Sequence, residues 1–520
     1  MIFKTSIILH SNEDNNQTKE DFIRTIQSIA SQISHGFDVT ILGKLDISAR
    51  KILDNKSIKF HEIDTKDKAY PEIFNKATQN SGSSYFLYID NRKNPVILRK
   101  AALEAFLISA VRNQDTGLFY TDYDLKDNES TKEIKLLFHH IGRLRDNQDY
   151  GKVFFIKKEA LEKISFFDKT LKFNSLYDLR LKISEHYKLT RISNKYNGSY
   201  YTVVASEKTT NVFDYLLAGK EVQIEAENIV TDHLRRIGAY LSPDQFYQSN
   251  TNFENISELQ ASVIIPVGFR PEFIGTAIES IQAQTIHDIE AIIVVNGGDN
   301  DPTIPVVKKY MEGGDCFDPN KPNVQLIVVD INSIGFCLNL GVNIAKGKYY
   351  VQLDSDDRLK PDAVEKIIDC FDSSDKIGMV IGSYEVWEKN DDGTLSRMNE
   401  IPVVTHDEWT DENGRNNLLR INGAGAPRAI SIHIIKEMGY FGINDDAFAQ
   451  NYGEDYEMVN KIAEYYKIGR VYDPVYEVIR HSGGTDHAIN QDVVDLNDEA
   501  KDDMRKKIVL RRIKKNSRNP

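Results

Sequence analysis

A duplication constrains this chain more than any other feature. Asn75 and Asp90 stand 15 residues apart, as do Asn339 and Asp354, within the segments FNKATQNSGSSYFLYIDNRKNP and LNLGVNIAKGKYYVQLDSDDRLKP. Both residues are displaced by one offset, since 339 − 75 and 354 − 90 are each 264. Further on, KISEHYKLTRI at Lys182 faces KIAEYYKIGRV at Lys461 at an offset of 279, the difference reflecting an insertion in the second copy. Such self-similarity means two related units, each with its own core.

Each copy opens with the same pattern. TSIIL, KEDFIRTIQSIASQ and DVTILG in the first correspond to ASVIIPVGF, EFIGTAIESIQAQ and AIIVV in the second, which stops at Asn296-Gly297-Gly298. Apolar run, helical spacing, apolar run and glycine-rich loop describe a βαβ unit. The expected class is therefore α/β: two Rossmann-like domains with mostly parallel central sheets. Between them Val222, Ile224, Ile229, Val230, Leu234 and Ile237 recur at helical spacing and need something to pack against, which predicts a helical linker. The expected boundaries are 1–203, a linker at 204–258, a second domain at 259–495 and a basic tail at 496–520.

The gross properties narrow the function. With 41% hydrophobic and 28% charged residues this is globular protein, and no apolar run reaches membrane-spanning length. The opening MIFKTSIILHSNEDN has no small-residue cleavage pattern and reads as a first buried strand, so a cytoplasmic location is expected. A net charge of -13 argues against a general nucleic-acid surface, though not against one nucleotide ligand. Cys316, Cys337 and Cys370 lack metal spacing and suit a reducing compartment. The tail RKKIVLRRIKKNSR from Arg505 reads first as a solvated helix end, with contact to an anionic membrane or a partner as its other use.

Two acidic points stand out. KYYVQLDSDD joins a strand to Asp354-Ser355-Asp356-Asp357, and ligands of open α/β sheets bind beyond strand carboxyl ends. Carboxylates gathered there suit Mg²⁺ or Mn²⁺ bridging to a diphosphate, or else an acidic turn capping the next helix. The first copy keeps Asp90 opposite Asp354 but has Arg92 opposite Asp356. The second point is Gly453-Glu454-Asp455-Tyr456-Glu457 at a helix start, where an acid would ordinarily serve as a cap. Leu176 stands opposite Asp455 in the first copy, which weakens capping as the whole explanation.

In order, ASVIIPV, AIIVVNGGDND, NSIGFCLNLGVNIAKGKYYVQLDSDD, NYGEDYEM and VIRHSGGTDH resemble family 2 glycosyltransferases of the GT-A fold, over about Ser262 to Asn490. A degenerate form of the same pattern covers about Lys4 to Thr202. The resemblance implies a metal-dependent, inverting transfer of sugar from a nucleoside-diphosphate sugar, preferably a UDP-sugar, to a glycan or other hydroxyl acceptor. It assigns Asp356 and His481 to a Mn²⁺ or Mg²⁺ at the donor diphosphate, Asp354 to the donor ribose or sugar, and Asp455 to the general base. Arg480 would help neutralise phosphate. Pro266 and Val267 would line the nucleoside pocket, and Gly341 and Gly347 fit the close-packed approach to the Asp cluster. The family often carries two acids in the second-strand loop, whereas this chain has Asn296-Gly297-Gly298-Asp299, so Asn296 and Asp299 are the residues expected near the nucleobase. His487 reads as a loop or acceptor contact, and NGAGAPRAI from Asn422 to Ile430 as a cleft wall or a tight turn. A nucleotidyltransferase and a non-catalytic carbohydrate-binding or assembly protein are the rival readings; the loop Val267-Gly268-Phe269-Arg270 is a poor match to the basic, glycine-rich loop of the former.

Overall fold

The computed structural model describes the chain apart from residues 1–2, 13–17, 35, 67, 128–129, 194–198, 206–218, 244, 246, 251–257, 391, 407–408, 424, 444–452, 482–490, 519–520 and the side chains of 491–492. It divides into two compact units, residues 1–217 with 228–237, and residues 218–227 with 238–520.

In the first unit the apolar runs become strands β1 (Thr5–His10), β2 (Phe37–Leu42), β3 (Phe60–Ile63), β4 (Tyr85–Ile89), β5 (Val96–Leu98), β6 (Thr116–Thr121), β7 (Tyr123–Lys126), β8 (Thr131–Ile134), β9 (Val153–Lys157), β10 (Lys188–Ile192) and β11 (Tyr201–Val204). The second unit adds β12 (Leu259–Val267), β13 (Ile289–Val295), β14 (Asn323–Val328), β15 (Gly347–Gln352), β16 (Arg358–Leu359), β17 (Ile377–Lys389), β18 (Leu395–Arg397), β19 (Arg428–Ser431) and β20 (Lys467–Arg480). Every residue of β1, β4 and β13 is buried, as in strands covered by helices on both faces.

Among the described residues the main sheet of the first unit runs β3-β2-β1-β4-β9-β6-β10, and that of the second runs β14-β13-β12-β15-β19-β17-β20-β16, with β18 paired to β17. Seven positions therefore correspond one for one. In each, the fifth strand, β9 or β19, runs antiparallel to both neighbours while the other main-sheet neighbours in this shared set are parallel. A smaller sheet, β5-β11-β7-β8, accompanies the first.

The repeated residues do the same work twice. Asn75 Nδ2 donates to the Phe167 carbonyl at 2.9 Å, and its Oδ1 accepts from the Phe167 amide at 3.0 Å. Asn339 makes the same pair with Phe441, both at 2.9 Å. Only a side-chain amide offers a donor and an acceptor matched to one peptide, which explains why asparagine stands at both positions. Gln32 and Gln284 form a second matched set, each donating to two carbonyls and accepting one amide. Gly341 and Gly347 lie where added side chains would strike Ile264 and the Ala261–Ser262 backbone, the close packing expected of them.

Among the described residues the connecting segment holds one helix, Lys220–Arg236, whose second half belongs to the first unit. There His233 and Arg236 bind Glu185 at 2.7 and 2.8 Å. In the second unit the C-terminal helix Gln491–Asn516 binds Glu464 through Arg511 at 2.6 Å, with Arg512 at 3.9 Å. Glu185 to Glu464 and His233 to Arg512 are both steps of 279, so the supposed linker helix is also the first copy's version of the C-terminal helix.

The basic tail corrects the picture of a solvated helix end. Arg505 and Arg512 are 0% exposed. Arg505 pairs with Asp502 and donates to the Ile421 carbonyl at 2.7 Å, and Arg512 donates to the Arg415 carbonyl at 2.9 Å. Composition places arginine outside by default, but a guanidinium fork can be buried when carboxylates and backbone carbonyls receive its protons. No described helix is long and apolar enough to cross a membrane.

Candidate active site

The residues expected on the nucleoside side lie where β12 and β13 end. Pro266 is half-buried beyond Ile264, the last β12 residue paired with β15, so its missing N–H leaves no gap in that ladder. Val267 is buried, and its carbonyl accepts from the Asn296 amide at 2.8 Å. Asn296 Nδ2 reaches Asn332 Oδ1 at 3.4 Å, while Asp299 is exposed on the loop. The acid that shapes this loop is Asp301, which the sequence reading passed over. It is 2% exposed, and its two oxygens accept the Phe269 amide at 2.9 Å and the Thr303 amide at 2.8 Å. Phe269, thus held, projects into solvent from a left-handed backbone at φ 54°. A side chain at Gly268 or Gly297 would strike Asn296 or Asp301, which requires glycine at both.

The Asp cluster follows β15. It does not cap the next helix, whose N-cap is Asp362 with no side-chain cap bond; β16 intervenes. Instead it is tied to β20. The Asp354 amide donates to the Tyr476 hydroxyl at 3.1 Å, and buried Asp357 accepts the Ile479 amide at 2.8 Å. Burial, followed by repulsion from Asp354 and Asp356, pushes the Asp357 carboxyl well above its ordinary range. The Asp354 side chain is left open to solvent. Because β20 is fixed here, His481 just past its end reaches the cluster: His481 Nε2 lies 3.0 Å from Asp356 Oδ2, with the imidazole packed on Phe273 at 4.4 Å between centroids. Arg480 is the half-buried last residue of β20, and His487 falls outside the described residues.

Asp356 and His481 offer one oxygen and one nitrogen ligand side by side. Among the described residues no three His, Cys, Asp or Glu side chains form a complete metal cage. That is compatible with Mg²⁺ or Mn²⁺, which bind through one or two protein ligands and take substrate phosphates and water for the rest. The donor set therefore fits such an ion.

Asp455 lies in the first turn of helix Glu454–Ala463, whose N-cap is Gly453 at φ 91°. Its Oδ1 accepts the Tyr456 amide at 2.6 Å, and its Oδ2 meets Arg428 at 3.0 Å. Arg428 begins β19, donates to the Gly425 carbonyl at 2.9 Å, and reaches Gln352 Oε1 at 3.3 Å; Gln352 in turn lies 3.4 Å from Asp354. One guanidinium thus links the Asp cluster to Asp455. Burial works to raise the Asp455 carboxyl, but Arg428 and then Lys501 outweigh it and hold it below its ordinary value. Glu454 next to it is pushed up to about 7, by burial first and then by the Asp455 charge.

In the first unit the matching positions are chemically different. Asp90 receives two bonds from Arg92, at 2.7 and 3.1 Å, and Arg92 lies 4.5 Å from the Tyr70 ring centroid. Phe154 occupies the β9 position that Arg428 holds in β19, facing Tyr88 where Gln352 stands in β15. Leu176 stands in helix Ser175–Ser184, which begins 279 residues before Glu454.

Residues 262–426 match the model described as Glycosyl transferase family 2. The C-terminal region carries a family 2 glycosyltransferase domain. That match contains Asp354 and Asp356 and ends before Arg428, Asp455 and His481. The chain is 32% identical over 129 residues to the chondroitin synthase of Escherichia coli, covering 24% of this chain and 18% of that protein. With the hyaluronan synthase of Pasteurella multocida it shares 31% identity over 150 residues, 28% of this chain and 14% of that one. The chain thus spans less than a fifth of either relative. S. aureus TarS 1–349 in complex with UDP-GlcNAc is 18% identical, aligned over 46% of this chain and 64% of that one, at a TM-score of 0.34, too low for the likeness to bear on this protein.

Proposed function

We propose that this protein is an inverting, metal-dependent glycosyltransferase that moves a sugar from a nucleoside-diphosphate sugar, with a UDP-sugar the first donor to test, to a hydroxyl of a glycan acceptor. The observation that carries the reading is the convergence, in the unit that contains the family 2 match, of solvent-open Asp354, the Asp356–His481 pair and the Arg428–Asp455 pair, linked through Gln352. The names of the relatives, chondroitin synthase and hyaluronan synthase, support a glycan acceptor.

In this reading Val267, Asn296 and the Asp301-tied loop receive the nucleoside, with Asp299 at its rim, and Asp354 contacts the ribose or sugar. Asp356 and His481 would hold Mn²⁺ or Mg²⁺, whose charge would neutralise the donor diphosphate. Arg480 adds positive charge on the same side. Asp455 accepts the acceptor hydroxyl's proton as that oxygen bonds to the anomeric carbon and the bond to the diphosphate breaks. A carboxylate of low pKa can do this because the hydroxyl becomes acidic as it attacks. The first unit is a degenerate copy: Arg92 neutralises Asp90 internally, and Leu176 replaces the base. It serves the pair structurally or holds glycan.

A panel of UDP- and GDP-sugars with mixed glycan acceptors, assayed for nucleoside diphosphate release with Mn²⁺, Mg²⁺ or chelator, tests this. Selective turnover that chelation, D356A and D455N each abolish is the expected result. Folded protein that neither binds nor turns over any donor would refute it.

A further inference from the structure

The C-terminal helix lies beyond the family match, and its sequence suggests only a charged helix end. Within the second unit it packs against helix Glu454–Ala463, whose first turn carries Asp455. Lys501 on that face is 6% exposed. Its Nζ donates to the Asn422 carbonyl at 2.5 Å and lies 5.4 Å from the Tyr456 ring centroid, one residue past Asp455. Asn422 is itself fixed by Arg505, which donates to its Oδ1 at 2.8 Å, and Met504 packs at Gly453. The helix thus brings a buried ammonium to the acidic helix start from a point 46 residues later in the chain.

Burying a lysine is costly, and packing alone does not call for one. The duplication separates the two needs. At the offset of 279 the helix keeps its packing residues, since Ile229 and Val230 answer to Ile508 and Val509, all buried. It also keeps its anchor, Glu185 with His233 and Glu464 with Arg512. Lys501 answers to Val222, just as Asp455 answers to Leu176 and Arg428 to Phe154. At these offsets the copy without the acid lacks both cations, and Arg505 and Arg511 answer to Ala226 and Asp232, while the apolar pair and the glutamate anchor are retained.

We propose that Lys501 is a positioning residue for Asp455: with Arg428 it keeps the largely buried carboxylate anionic and fixed toward the acceptor, which makes the C-terminal helix part of the catalytic unit. This rests on Asp455 being the base. The groups acting on Asp455 are Arg428 from β19, Lys501 from the C-terminal helix, Glu454 beside it, and Asp354 and Tyr350 from β15 and its loop. The two cations, with the Tyr456 and Asp455 amides after them, favour its ionised form. Lys501 feels the reciprocal pull: burial lowers it to about 8, against the raising effect of Asp455.

Two measurements on the full chain decide it. The first is urea unfolding of wild type, K501M, D455N and the double variant at pH 7.5. Expected is an unfolding equilibrium constant that K501M raises at least tenfold in the Asp455 background and less than threefold in D455N. Equal effects in both backgrounds mean packing alone and overturn the proposal. The second is kcat/KM against pH with whichever UDP- or GDP-sugar turns over. K501M should move the acid limb up by about one pH unit and lower kcat, and K501R should restore the limb. An unmoved limb also overturns the proposal. If wild type turns over no donor, glycosyl transfer is what fails, and the unfolding cycle still decides whether Lys501 holds Asp455.

Discussion

Asp301 provides the sharpest test of how the proposed nucleoside side is built. Its two carboxylate oxygens each accept one backbone amide, from Phe269 at 2.9 Å and Thr303 at 2.8 Å, at 2% exposure. D301N preserves shape and volume but can accept only one of these protons; its NH₂ would face the other amide, donor against donor. A hydrogen bond to a charged group contributes about 1.5–3 kcal/mol, and a buried unpaired donor costs about 1–3 kcal/mol. The expected loss is about 2–3 kcal/mol locally. For a unit of this size that corresponds to roughly 4–10 °C in the unfolding midpoint if the loop unfolds with the core. If the loop opens separately, the loss appears as about 30- to 150-fold faster exchange of the Phe269 and Thr303 amides, from the factor of ten per 1.4 kcal/mol. Donor KM should rise several-fold with kcat little changed, because Phe269 and Asn296 lose their fixed spacing while Asp455 is untouched. Thermal unfolding, hydrogen exchange by mass spectrometry and donor titration check the three parts. A D301N protein with a midpoint within 1 °C, amide protection within threefold and an unaltered KM would refute the reasoning.

H481A should raise the Mn²⁺ concentration for half-maximal turnover at least tenfold while leaving the unfolding midpoint within a few degrees; equal metal response in variant and wild type would remove His481 from the site. E454Q should stabilise the protein at alkaline pH. A carboxyl raised to about 7 when folded, from an ordinary 4.5, opposes folding fully above pH 7 and not at all below about pH 4.5. The gain, roughly 1–3 kcal/mol, should therefore grow between these values, and a pH-independent difference in urea unfolding would contradict it. R428M breaks a pair whose side chains are 16% and 20% exposed and should cost about 2–3 kcal/mol, less in a D455N background, as a double-mutant cycle will read. N75A and N339A should each cost about 2–4 kcal/mol, because each strands the amide and carbonyl of one peptide; calorimetry would expose a change below 1 kcal/mol in either.

Local patterning wrote much of the architecture into the chain. Apolar runs of strand length, helical spacing between them and the two fixed offsets suffice for paired α/β units, because each depends on residues close in sequence or on direct comparison of two stretches. The acids followed for the same reason: Asp354 and Asp356 end a recognisable strand, and Asp455 opens a recognisable helix. What those acids touch was decided only by tertiary structure. Arg428 lay in NGAGAPRAI, a segment whose small residues suggested a wall or a turn, and only the pairing of β19 with β15 carries its guanidinium to Gln352 and Asp455. Asp301 and Asp299 are equally acidic in sequence; the fold buries one and exposes the other. The tail misled because composition records a residue's charge and not its partners: Arg505, Arg512 and Lys501 are buried since backbone carbonyls far away in sequence receive their protons. The duplication, readable in one dimension, supplies what separates residues that hold the fold in both copies from those that hold charge in only one.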